Sequence, residues 1–174
     1  MDMQRVVVLD GVTMGNGIAQ VCAQAGCLVR MVDVSATALA RALEAISSNL
    51  DRWVRKGVLD GAARATLIES IETETNAAHG VRDADLVVEA VPERADIKYE
   101  PFPVLEAQAH TLLASNASSI SIAEIAARTF RPDRVIFMNP VPVMLLVEMI
   151  RGLGTSDETL TAATEVVRRL GKSP

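Results

Sequence analysis

Three groups of residues in this chain have types and spacings that could do chemistry. The first is Asp10-Gly11-Val12-Thr13-Met14-Gly15-Asn16-Gly17, directly after the apolar run Arg5–Leu9. Glycines between a buried strand and a helix let backbone amides close on a phosphate, and the helix N-terminus adds a favourable dipole. Asp10 to Gly15 occupy the G-x-G-x-x-G spacing of dinucleotide-binding turns, yet only its third glycine, Gly15, is kept, with Gly11 and Gly17 nearby. Val12 sets a β-branched side chain where the backbone must approach a pyrophosphate, and Asp10 sets a carboxylate close to that anion. Two unit charges about 6 Å apart repel by roughly 3 kcal/mol at an effective dielectric near 20, which weakens binding about a hundredfold. The second group is Asp33, which ends the apolar run Leu28–Val32. An acid there can hold both ribose hydroxyls of an adenosine and would repel a 2′-phosphate, so it favours NAD over NADP; it can equally be a turn residue beside Ser35. The third group is polar residues in apolar surroundings: Ser118 and Ser119, Asn139, and Glu148, which lies in an apolar run where an unpaired carboxylate is costly.

The elements that must position these residues alternate along the chain. Arg5–Leu9 reads as a buried parallel strand, 15–25 as a helix closed by Gly26, and Leu28–Val32 as a second strand, together one βαβ unit. Ser35 is an N-cap for a long helix over 36–55, ended by Gly57 and followed by a shorter helix over 61–70. Leu39, Leu43, Ile46, Leu50 and Trp53 give the long helix one apolar face. This helical hairpin is inserted before a third strand near 71–75. Further strands are expected at 85–90, 111–115, 135–138 and 145–150. Helices are expected to about 109, over 122–128 and from 156 or 157 to 170. Glu100-Pro101-Phe102-Pro103 should break the helix before 109, near Pro103, since an interior proline costs about 3 kcal/mol. The pattern predicts an α/β, Rossmann-like doubly wound, mostly parallel sheet carrying the hairpin.

Composition narrows the partners. The chain is 49% hydrophobic but only 3% aromatic, so its core must be built from aliphatic residues. A net charge of −5 argues against nucleic acid as a partner. The longest apolar stretch, 135–150, is interrupted by Asn139, Pro140, Pro142 and Glu148, so a membrane span is not expected. Cys22 and Cys27 lack metal-ligand or redox spacing and read as two reduced thiols. Residues 1–5 run straight into the first strand, so no signal peptide is expected, and the setting reads as cytoplasmic.

Several segments taken together resemble the N-terminal domain of NAD-dependent 3-hydroxyacyl-CoA dehydrogenases (of the 3-hydroxybutyryl-CoA type). They are Thr13-Met14-Gly15-Asn16-Gly17-Ile18-Ala19-Gln20, Val32-Asp33-Val34-Ser35, Asp83 to Glu93, Ser115-Asn116-Ala117-Ser118-Ser119-Ile120-Ser121, Asn139-Pro140-Val141-Pro142-Val143-Met144 and Leu146-Val147-Glu148. The likeness is collinear over essentially the whole chain, hairpin included. It implies an oxidoreductase that converts 3-hydroxyacyl-CoA to 3-ketoacyl-CoA in fatty-acid metabolism, with NAD as cofactor, an acyl-CoA substrate and a homo-oligomeric state.

The resemblance also implies residue roles. Gly11, Val12, Thr13, Met14 and Gly15 would face the pyrophosphate and Asp33 the adenosine ribose. Ala90, Val91 and Asn116 would line the cofactor cleft, and Glu93 and Lys98 would approach the nicotinamide half. Ser118 would hydrogen-bond the substrate's 3-oxygen, Asn139 would lie near the nicotinamide, Glu148 would orient and charge-balance the catalytic histidine, and Lys56 would contact the CoA phosphates. That histidine belongs to a His-Phe-Phe-Asn-Pro segment, and here Arg134-Val135-Ile136-Phe137-Met138-Asn139-Pro140 is about three residues short, the histidine falling in the shortfall. The remaining histidines, His79 and His110, are not placed to replace it. The family's helical C-terminal domain is not expected within these residues. Turnover is therefore expected to be impaired, and a non-catalytic nucleotide-binding or interaction domain is the alternative reading.

Overall fold

The computed structural model describes residues 4–10, 14–108 and 112–174. The strands are β1 (Arg5–Leu9), β2 (Leu28–Val32), β3 (Ile71–Glu74), β4 (Leu86–Glu89), β5 (Leu112–Ser115), β6 (Val135–Met138) and β7 (Met149–Arg151). The helices are α1 (Gly15–Gln24), α2 (Ala36–Arg55), α3 (Gly61–Glu69), α4 (Ala77–Gly80), α5 (Ala95–Tyr99), α6 (Phe102–Gln108), α7 (Ile122–Ala126) and α8 (Asp157–Arg169). One sheet runs in the order β3-β2-β1-β4-β5-β6-β7, parallel except for β7. The order reverses between β1 and β4, the crevice where an open sheet of this topology takes a dinucleotide.

Both faces of the sheet are covered, which is why its strands are continuous apolar runs rather than alternating ones. Side chains still alternate between faces. Val6, Val8, Met31, Val88 and Ile136 pack with α1, α2 and α8 on one side. Val7, Leu9, Val87, Leu113 and Phe137 pack with α6 and α7 on the other. Ser35 caps α2 by accepting from the Ala38 amide, and Gly57, at φ 70, turns the chain out of it. Asp51 and Ser47 of α2 both accept from Arg64 of α3, which closes the hairpin.

The last strand departs from expectation. The apolar run 145–150 was expected to pair as a unit, but β6 ends at Met138 and its antiparallel register starts at Met149. Residues before Met149 form the connection, in which Leu146 makes a lone bridge to Ser173. Lys172 Nζ donates to the carbonyls of Val141 and Met144 and fixes this connection from below. Val143 to Leu146 consequently stand exposed. The proline break also falls slightly earlier than expected: α5 ends at Tyr99, and Pro103 sits in the first turn of α6, where a missing N–H costs nothing. Lys98 therefore stays helical. Among the described residues no helix is long and apolar enough to cross a membrane.

Candidate functional site

Most of the polar residues picked out by sequence, Lys56 and Glu148 apart, lie at or just beyond the carboxyl ends of the parallel strands. At the β1–β2 end, Gly15 starts α1 so close to the strand that a Cβ there would lie 1.6 Å from the carbonyl oxygen of Asp10. Close helix–strand packing is the work of the third fingerprint glycine. Met14 is the N-cap of α1 and supplies no side-chain bond, and the first turn carries no acid. Gly11, Val12 and Thr13 lie outside the described residues. Asp10 takes φ 70, a left-handed conformation uncommon for a residue with a side chain. Asp33 is half-buried at the end of β2, and its Oδ1 accepts from the Ser35 amide at 2.8 Å. That bond is the turn role allowed for it from sequence.

A buried polar network occupies the ends of β4 and β5. Glu89 and Lys98 are both fully buried, with Lys98 Nζ 3.0 Å from Glu89 Oε1. Glu89 Oε1 also accepts from the Val91 amide at 2.7 Å, and Oε2 from Ser115 Oγ at 2.6 Å. Lys98 Nζ further donates to the Val91 carbonyl at 2.9 Å and to Asn116 Oδ1 at 3.4 Å. Burial pushes the Glu89 carboxyl above its usual range, opposed by the Lys98 charge and the Ser115 bond. Sequence reading singled out Lys98 and Asn116 but passed over Glu89 and Ser115. An acid ending a fully apolar strand was the available signal, because such a group must find a partner.

Glu93 extends this network to the surface. Its Oε1 accepts from the amides of Ser118, Ser119 and Ile120 at 2.9, 2.7 and 3.2 Å and from Ser119 Oγ at 3.0 Å. Its Oε2 lies 3.5 Å from Lys98 Nζ. Partial burial would raise this carboxyl, but the Ser119 bonds and the Lys98 charge outweigh it and hold it below the usual range. Ser118 is exposed at the tip of the clamped loop, beside an open groove of about 480 Å³ walled by Ile120, Ile122, Phe137, Ile150 and Leu153.

Asn139 follows β6, and its Oδ1 is buried with no hydrogen-bond partner among the described residues. Such an orphan acceptor costs about 1–3 kcal/mol unless a ligand satisfies it. Ala90 is buried and Val91 half-buried at the end of β4. Glu148 is not the buried strand residue expected: it stands exposed on the connection before β7. Lys56, also exposed, is the C-cap of α2, whose 20 residues put it about 30 Å from the Asp33 end of that helix. His79 Nδ1 pairs with Glu74 Oε2 at 2.5 Å, beside edge strand β3. Four strand spacings, about 19 Å, separate β3 from β5, too far for His79 to serve a group at Ser118. His110 lies outside the described residues.

A family model described as "3-hydroxyacyl-CoA dehydrogenase, NAD binding domain" matches residues 5–174. The probable 3-hydroxybutyryl-CoA dehydrogenase of Bacillus subtilis is 42% identical over 181 residues, covering 99% of this chain and 62% of that protein. Mitochondrial hydroxyacyl-coenzyme A dehydrogenase of Rattus norvegicus is 39% identical, covering 99% of this chain and 58% of that protein. The crystal structure of (S)-3-hydroxybutyryl-CoA dehydrogenase from Ralstonia eutropha superposes with a TM-score of 0.95 at 41% identity, covering 99% of this chain and 62% of that one. The chain thus spans less than two thirds of the relatives it matches.

Proposed function

Because the chain belongs to the 3-hydroxyacyl-CoA dehydrogenase family, as its NAD-binding domain, we propose that it serves an oxidoreductase acting on a 3-hydroxyacyl-CoA. The observation that carries the reading is that Gly15, at the start of α1, and Asp33, just after β2, lie at the carboxyl end of two neighbouring parallel strands. The residues fit the cofactor. The first turn of α1, which carries no acid and no side-chain cap, would take the pyrophosphate, Asp33 would take the ribose hydroxyls, and the orphan acceptor of Asn139 would suit a donor at the nicotinamide end. When bound, NAD supplies the acceptor for the two electrons and hydrogen lost from the hydroxyl-bearing carbon.

The protein's own part is to orient the substrate. Ser118 offers a hydroxyl to the 3-oxygen from a loop whose amides Glu93 holds still. The apolar groove beside it suits an acyl segment. The hydroxyl proton must leave to a base, and no histidine among the described residues is near Ser118. Loss of a positioned general base slows such a reaction by roughly 10²–10⁴-fold, so the chain binds NAD but turns over slowly. A non-catalytic nucleotide-binding or interaction domain is the second reading: the position of His79, far from Ser118, favours the loss of turnover, and the Asp10 carboxylate beside the phosphate turn favours the interaction role over nucleotide binding. The unpaired thiols of Cys22 and Cys27 support a cytoplasmic setting, and exposed Val143 and Leu145 support a homo-oligomer.

Comparison of NADH with NADPH tests the Asp33 assignment. In calorimetric titration the chain is expected to favour NADH by about tenfold or more, and Asp33→Ala to erase that preference. Equal affinity of the unmodified chain for both would contradict the assignment.

A further inference from the structure

Lys98 cannot be understood from a cofactor contact alone, because its three ammonium protons already have acceptors: Glu89 Oε1, the Val91 carbonyl and Asn116 Oδ1. No part of its side chain reaches solvent. Each acceptor lies at the end of β4 or β5, and the remaining neighbour, Glu93, reaches from the β4–α5 connection to the loop after β5. A fully buried cation beside a fully buried anion is a poor source of stability, since the desolvation of both opposes their attraction. Its geometry is instead that of a rigid joint. Glu89 is fixed on two sides, by Ser115 Oγ in the neighbouring strand and by the Val91 amide, and so fixes the ammonium between two loops.

We propose that Glu89 is a positioning residue: through Lys98 it locks the Val91 carbonyl, Asn116 and Glu93 together, so that Glu93 presents the Ser118–Ile120 loop preformed to the substrate. The substrate part rests on the reading given under Proposed function; the locking of the loop does not. Glu89 touches no reacting atom, and its effect passes by way of Lys98 and Glu93 to three amides.

The test separates this role from mere stabilisation. In Glu89→Gln/Lys98→Met the charged pair is replaced by neutral groups of similar volume, which folded proteins commonly tolerate. Thermal melting of the unliganded double variant is expected near that of the parent. Hydrogen exchange followed by NMR is expected to speed up about tenfold at Ser118, Ser119 and Ile120, with β1 and β2 unchanged. Glu93→Ala, an exposed position that leaves the pair intact, should speed the same three amides. Unchanged exchange at these amides in Glu93→Ala, or in a folded double variant, would overturn the proposal, as would acceleration spread evenly over the sheet. Acetoacetyl-CoA with NADH should slow exchange at the loop of the parent and not of the double variant. Its failure to do so in the parent would count against the substrate reading while leaving the joint standing.

Discussion

Gly15→Ala is expected to lower the thermal midpoint by about 10 °C and to abolish dinucleotide binding, a cost of about 3 kcal/mol or more. The added Cβ would stand 1.6 Å from the Asp10 carbonyl oxygen, 2.8 Å from its carbon and 3.3 Å from Val8 Cγ1. Two of these atoms are backbone, and the backbone there is held: the Asp10 amide donates to the Val32 carbonyl at 2.9 Å. The only relief is for α1 to move away from β1. That shift takes the helix N-terminus from the phosphate position and opens the core around Ile18 and Cys22, both fully buried. Gly17→Ala is the natural control, because its Cβ would meet only the Pro142 ring at 3.1 Å, a side chain able to give slightly. Circular dichroism melting of the two variants decides the point; a Gly15→Ala midpoint within a degree of Gly17→Ala would show that the helix–strand approach is not tight.

Lys98→Met is expected to cost about 3–5 kcal/mol near neutral pH, because it leaves Glu89 buried without its cation. The loss should depend on pH in a definite direction. Burial already holds the Glu89 carboxyl above its ordinary range, and Lys98 is the largest influence pulling it down. Without Lys98 it rises further. The folded variant then keeps a proton that the unfolded chain releases, so its stability falls as pH rises through the folded value and is regained below the ordinary carboxylate range. Urea unfolding of parent and variant should therefore show a smaller difference near about pH 5 than near about pH 8. A difference that grows on acidification would mean that Glu89 does not carry the buried charge.

Much of this architecture was legible because its punctuation is chemical. Gly26 before Leu28, Ser35 before Ala36, Gly57 after Arg55 and Asn139-Pro140 after Met138 mark ends that the fold respects. The run 145–150 misled because apolar content alone does not distinguish a buried strand from an exposed connection. Here β6 is too short to pair with all of it. The same error carried Glu148 into a core it does not enter. At the site, Gly15 and Asp33 followed from spacing along one βαβ unit. Glu89 and Lys98 did not, because they meet across a loop containing Pro92 and only the packing of α5 against the end of β4 reveals it. The clamp by Glu93 on residues 118–120 is likewise a tertiary fact, between segments about 25 residues apart.

A dinucleotide at this site must be held despite Asp10 and Val12 in the phosphate turn. Calorimetric titration with NADH of the unmodified chain and of Asp10→Gly/Val12→Gly tests this most directly. The double variant removes the carboxylate and gives the left-handed φ of 70 at Asp10 to a residue that adopts it freely. Micromolar binding by the variant, with the unmodified chain about a hundredfold weaker, is the predicted result. Absence of binding by both would contradict the dinucleotide site itself.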